Sequence, residues 1–128
     1  MKVKLRQEDL DLKLLNIYDK DFSNLHLEHL DFSLAKNLQR ANFENSNLEY
    51  SNFEGVDLQG VNFKNTTLNN VNLKNADLSY GSLNNANLKY SNLKYTNLHA
   101  TKLINSDLRF VDLKFTFLYG VDITKTII

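Results

Sequence analysis

The sequence of 128 residues contains no cysteine, no proline and no tryptophan, has only four glycines, and carries no net formal charge, with 15 basic and 15 acidic side chains. Without cysteine there is neither a disulfide framework nor a thiolate metal site. The glycines are scattered at positions 55, 60, 81 and 120, which excludes a glycine-rich phosphate loop. Nothing rich in proline or serine marks a linker, so a single domain is expected, in line with the usual ~100–200 residues. No apolar run is long enough to cross a bilayer. The start, "MKVKLRQEDL", has no apolar stretch like that of a signal peptide, so a cytoplasmic protein is expected. Zero net charge gives the whole chain no field that draws it to nucleic acid or to an acidic membrane, and any such claim must rest on local patches.

What the sequence has in abundance is a period of five. From Leu38 every fifth residue is apolar, through Phe43, Leu48, Phe53, Leu58 and Phe63 and then as Leu or Ile to Ile128. Two residues before each stands a small or β-branched residue, such as Ala41, Ser46, Val56 or Thr66, and just before each is usually Asn or Asp. Upstream the pattern runs one residue out of phase, as Leu12, Ile17, Phe22, Leu27 and Phe32, with one extra residue between Phe32 and Leu38. On a helix, at about 100° per residue, these leucines spiral around the axis and form no stripe. On a flat strand, where side chains change face at every residue, an odd period sends successive leucines to opposite faces. Three extended residues (small-in, Asn-out, Leu-in) followed by a two-residue corner do satisfy the period, and the chain must then coil.

The number of corners per coil follows from which lag places like above like. Lag twenty does so best: Asn45, Asn65, Asn85 and Asn105 form one column and Lys74, Lys94 and Lys114 another. Four pentapeptides per coil predict a square solenoid over residues 11–128, with roughly six coils and a length of about 29 Å at the ordinary ~4.8 Å strand spacing. The extra residue is expected to be a bulge at one corner. Residues 1–10 are expected to cap the first coil, with Val3 and Leu5 turned inward between charged neighbours.

The segments ANFEN, SNLEY, SNFEG, VDLQG, NADLSY and NANLKY match the motif A(D/N)LXX, and on them the chain resembles the pentapeptide-repeat proteins over at least residues 36–128. The resemblance implies an all-β fold, a right-handed quadrilateral parallel β-helix with the Leu/Phe and small positions inside. Members of that family include inhibitors and protectors of type II topoisomerases, some of which confer fluoroquinolone resistance by resembling DNA in shape and charge. A fold does not supply a function, so the site must be argued separately.

The period fills the interior with alternating large and small side chains, so no cofactor is expected there, and inward Ser and Thr hydroxyls can bond to nearby backbone. His26 and His29, on either side of inward Leu27, suggest a metal pair with Glu28 or Asp31, set against the simpler reading of a solvated corner. Asp57 and Asp77 stack in one column and suggest paired carboxylates, set against the repeat's own Asn/Asp bonding local backbone. His99 is a lone outward side chain. No catalytic, cofactor-binding or metal residue is assigned, and no enzyme is expected.

The outer surface is more informative. Residues 1–64 hold 8 basic and 11 acidic side chains, whereas residues 65–128 hold 7 basic and 4 acidic. The acidic corners Glu44, Glu49 and Glu54 give way to Lys74, Lys89, Lys94, Arg109 and Lys114, and one residue further on stand Tyr90, Tyr95, Phe110 and Phe115. Cations interleaved with aromatics can track single-stranded nucleic acid. They also suit a protein interface, or a ladder of rings that pack on one another. Protein contact or ladder packing is the preferred reading. The last coil adds outward Phe117 and Tyr119 and finishes "VDITKTII" without a polar cap, so a two-fold homodimer is expected through Phe117, Tyr119, Ile123, Ile127 and Ile128. The expected function is a non-catalytic protein-interaction scaffold whose partner the sequence does not name. The alternative is a DNA-mimicking inhibitor or protector of DNA gyrase or topoisomerase IV, but that mechanism needs a dense negative surface, and here the acidic corners stop at Glu54.

Overall fold

A computed structural model describes residues 2–16 and 20–128. It opens with a short strand, β1 (Val3–Lys4), a helix, α1 (Gln7–Leu14), and a second short strand, β2 (Leu25–His26), which pairs in parallel with β1. From Asp21 onward the chain winds as a parallel coil held by single-residue bridges that fall on the Asn/Asp position of each pentapeptide. Asp21, His26 and Asp31 reach partners 21 residues on, and from Asn42 every bridge spans twenty residues, as in Asn42↔Asn62 and Asp107↔Ile127. Four pentapeptides thus complete one turn. The step changes across the insertion after Phe32, where Leu34 is exposed and no bridge forms among the described residues, the local loss of pairing that a bulge brings.

Each rung satisfies its backbone along the axis. The Phe43 N–H donates to the Asn62 carbonyl at 2.8 Å, and the Asn62 N–H returns to Ala41 at 2.9 Å. The corner closes when the N–H three residues on bonds back, as Ser46 does to the Phe43 carbonyl at 3.1 Å. The residue before that donor is left-handed, with Asn45 at φ 62° and Gly55 at φ 71°, the pattern of a type II turn. The repeat's asparagine has a second task here. Its Oδ1 accepts the N–H two residues on, from Glu44 to Asn42 at 3.0 Å and from Lys94 to Asn92 at 3.1 Å, and Asn62 donates to the Asn42 side chain below it at 3.1 Å. Asn or Asp recurs because a short polar side chain can hold the turn, and the side chain lies half-buried rather than fully outward.

The core changes filling along the axis. Phe22, Phe32, Phe43, Phe53 and Phe63 are fully buried, and their rings form two columns: Phe32 stacks on Phe53 at 4.4 Å, Phe22 on Phe43 at 4.9 Å, and the columns meet edge to face. From Leu68 the same positions are leucines. Inward hydroxyls bridge successive turns, Ser46 to the Phe22 carbonyl at 2.5 Å and Thr96 to Leu73 at 2.8 Å. Ser91 departs from that expectation, since its buried Oγ has no partner.

The N-terminal segment differs from the sequence expectation. Leu12 does not begin the coil but sits on α1 with 69% of its surface exposed, and Val3, expected to point inward, is 63% exposed. Leu10 is the fully buried residue of α1 and joins the core cluster. A helix suits this position because it satisfies its own backbone and needs no further coil to pair with. The Asp9 carboxylate accepts the Arg6 backbone N–H at 3.0 Å, and Glu8 and Asp9 in the first turn oppose Lys13 in the last. Gln7 ties the helix to the coil, donating to the Asp31 carbonyl at 2.9 Å and accepting the Asp31 N–H at 2.7 Å. Ile17 lies outside the described residues.

Candidate interaction surface

The twenty-residue register sets Glu54, Lys74, Lys94 and Lys114 in one column and Glu49, Asn69, Lys89 and Arg109 in a second. The left-handed corner position follows each, so Tyr90 lies under Phe110 and Tyr95 under Phe115. Both pairs stack, with ring centroids 4.9 Å apart and planes at 7° for Tyr90–Phe110, and 5.0 Å and 9° for Tyr95–Phe115. Between these two corners runs a side carrying Asn92 and Asp112 in the bridge column. The structure therefore brings the nine residues of the expected face onto adjoining columns.

The backbone at these corners is informative. Tyr90, Tyr95, Phe110 and Phe115 have φ of 63°, 58°, 64° and 59°. Glycine and asparagine take that conformation readily, whereas other side chains meet a steric cost of about 1–2 kcal/mol. Stacking on a neighbour offsets part of it, about 0.5–1.5 kcal/mol per pair.

The charge on this face is partly compensated by two aspartates that charge counting by halves did not single out. Arg109 holds Asp107 through Nη2–Oδ2 at 2.7 Å and a second bond from Nε, and Lys94 Nζ reaches Asp112 across a rung at 3.2 Å. The Arg109 side chain holds the Asp107 carboxyl below its ordinary range. For Asp112 the Lys114 backbone N–H is the main cause of the same shift, with Lys94 adding to it. The signal was present as Asp two residues before Arg in "DLRF". Among the described residues Lys74, Lys89 and Lys114 form no ion pair.

The weaker constellations do not converge. His26 Nδ1 lies 2.9 Å from Glu28, while His29 stacks on Tyr50 at 5.0 Å. No group of three or more His, Asp or Glu among the described residues is placed to hold a metal. Asp57 accepts the Gln59 N–H at 3.1 Å and the Gln39 side chain at 2.9 Å, and Asp77 accepts the Ser79 N–H at 2.9 Å, so both serve their turns. His99 has more company than its sequence context suggested: it stacks on Tyr119 at 5.4 Å, meets Tyr80 edge-on at 5.3 Å, and with Asn97 and Phe117 lines a shallow cleft of about 340 Å³. A larger groove of about 630 Å³ lies between α1 and the insertion, with Leu14, Leu15, Leu34 and Asp11 among its walls. Sequence reasoning missed it because the helix was not expected.

The final described turn is less buried than those before it. Leu118, Ile123 and Ile128 occupy inward positions yet are half or more exposed, and Phe117, Tyr119 and Ile127 are exposed on the outside. Among the described residues the N–H groups of Leu113, Leu118 and Ile123 find no backbone acceptor, whereas their counterparts one turn earlier, such as Leu98 and Leu103, do.

A parallel coil with a left-handed corner every five residues defines a repeat solenoid, and sequence comparison agrees with the geometry. The family model for pentapeptide repeats matches residues 37–75, 68–103 and 91–128, in eight copies. The chain belongs to this family, whose members form right-handed β-helices. Among solved structures it is similar to HetL from the cyanobacterium Nostoc sp. strain PCC 7120, a pentapeptide repeat protein involved in the regulation of heterocyst differentiation, at 26% identity and TM-score 0.76, covering 82% of this chain and 49% of HetL. It is also similar to AT2G44920 from the Arabidopsis thaliana thylakoid lumen, at 26% identity and TM-score 0.61, covering 79% of this chain and 63% of that one. Rfr23 from Cyanothece 51142 shares the fold, at 24% identity and TM-score 0.67, covering 92% of this chain and 98% of its own. The chain thus spans about half the length of HetL and under two thirds of AT2G44920. No curated protein sequence matches it.

Proposed function

We propose that the chain is a non-catalytic interaction scaffold: a rod of about six coils that engages a protein partner through its basic, aromatic corners and meets a second copy through its last coil. The observation that carries the reading is the set of large rings at Tyr90, Tyr95, Phe110 and Phe115, held in a left-handed conformation that asparagine fills one turn below them, at Asn70 and Asn75. The fold needs a left-handed residue there, but it does not need a ring, and these rings stand beside cations. The test is affinity capture from the host lysate with the native chain and with Lys94→Glu/Lys114→Glu. Loss of the captured partner from the variant supports the reading, and equal recovery refutes this face as the binding site.

Dimerisation is supported by Phe117, Tyr119, Ile123, Ile127 and Ile128, which are exposed beside backbone N–H groups without a backbone acceptor. Sedimentation at tens of micromolar is expected to give a dimer, and a monomer refutes it. DNA mimicry fits the surface poorly. A mimic presents closely spaced negative charge, whereas Glu54 is followed up its column by three lysines.

A further inference from the structure

The partner's chemistry can be taken further, on the premise that the basic, aromatic corners are the binding face. We infer that this face takes a short, extended, acidic protein segment, with its carboxylates lying over Lys74, Lys89 and Lys114. Three observations favour that occupant. The first is charge. Arg109 and Lys94 are ion-paired with Asp107 and Asp112, and Lys89 and Lys114 feel the same two carboxylates at longer range, so five cations face only two carboxylates and the face keeps a net positive charge, with Lys74, Lys89 and Lys114 outside any direct ion pair. Lys74 to Lys114 spans two turns, about 10 Å at the ordinary strand spacing, a length that an extended chain covers in about four residues.

The second is the attitude of the rings. Tyr90 and Tyr95 each give one face to the ring above, at 4.9 Å and 5.0 Å with planes nearly parallel, so the stacks turn ring edges outward. An aromatic edge carries the positive part of the quadrupole and favours an anionic oxygen. Asp107 and Asp112 interrupt the positive track that a continuous phosphate backbone follows. The third is the boundary. Below the lysines, the same two columns hold Glu49 and Glu54, with Glu54 accepting from Asn72 at 3.2 Å. These carboxylates repel an acidic segment and confine it to the upper turns.

The boundary supplies a gain-of-function test. Fluorescence anisotropy is followed for a fluorescein-labelled peptide of four Glu-Ser repeats, with an eight-residue oligothymidylate as the competing chemistry, at low and at moderate salt. The native chain is expected to bind the acidic peptide more tightly than the oligonucleotide, and added salt should weaken that binding. Lys74→Glu/Lys89→Glu/Lys114→Glu is expected to weaken it by about tenfold or more, and Glu49→Lys/Glu54→Lys to strengthen it by about threefold. A strengthened variant must be folded, so it separates the inference from misfolding. No binding of the peptide, equal binding by all three proteins, or tighter binding of the oligonucleotide overturns the inference. The capture comparison with Lys94→Glu/Lys114→Glu is independent of it. If that comparison shows loss of a partner while the peptide fails here, the face stands and only the acidic character falls.

Discussion

The two ends of the rod are built on one backbone and filled differently. Toward the N-terminus the core is a double column of phenylalanine rings, the corners from 45 to 75 are Asn or Gly except for Tyr50, and two outer columns start with Glu49 and Glu54. Toward the C-terminus the core is leucine, the corners at 90, 95, 110 and 115 are rings, and the columns of Glu49 and Glu54 carry Lys and Arg. From Asn42 onward one twenty-residue bridge register serves both, and the same kind of turn bond recurs in both. The comparison separates what the coil demands from what it tolerates. An inward apolar residue, a small partner and a left-handed corner are demanded, whereas the character of the corner side chain is open and is where the two ends diverge.

That comparison can be broken first through the core. Phe53 stacks on Phe32 and meets Phe43 and Phe63 edge to face, so Phe53→Ala is expected to lower unfolding free energy by about 3–5 kcal/mol in chemical denaturation. Leu93→Ala in the leucine end should fall in the range of about 2–5 kcal/mol and below Phe53→Ala. The reverse order shows that the ring columns add nothing to ordinary core burial.

A smaller effect tests the turn. Asn72 accepts the Lys74 N–H at 3.1 Å and donates to Asn52 at 3.1 Å and Glu54 at 3.2 Å. Asn72→Ala should cost about 1–2 kcal/mol in the same assay, and Asn72→Asp, which keeps the acceptor, should recover part of it. Equal loss in both removes the turn-holding role of the repeat's asparagine.

The smallest expected effect sharpens the electrostatic difference between the ends. The Asp107 and Asp112 carboxyls are held below their ordinary range by Arg109, and by Lys114 and Lys94. A depressed folded-state value means that the stabilisation is fully present above the ordinary carboxylate value of about 3.9 and is lost as pH falls through the lower folded value. Both groups lie at the surface, so the shift in Tm on acidification should be modest. It should be flatter for Asp107→Asn/Asp112→Asn than for the native chain, and parallel curves remove these pairs from the acid response.

The coil was legible in the sequence because its period is unlike that of a helix or a flat strand, and because each pentapeptide repeats the same three demands. The columns of the candidate face followed from the twenty-residue lag alone. The N-terminal helix was not legible: Leu12 happens to fall five residues before Ile17, and a match at a single position carries no information about whether the backbone coils there. The insertion's groove was hidden for the same reason. The pairing of Arg109 with Asp107 needed the observation that two positions apart, Asn-type and cation, face the same way. The stacking of His99 on Tyr119 was legible from the same lag, whereas Tyr80, which meets His99 edge-on, belongs to the neighbouring position of the repeat and gave no signal.

The most direct test of the account replaces Tyr90, Tyr95, Phe110 and Phe115 together by asparagine and quantifies the captured partner beside the melting temperature. Asparagine suits the left-handed corner, so the account predicts a folded chain with Tm close to native and a partner signal that is lost. A folded variant that still recovers the partner in full contradicts it, and leaves those rings as a ladder that the coil merely tolerates.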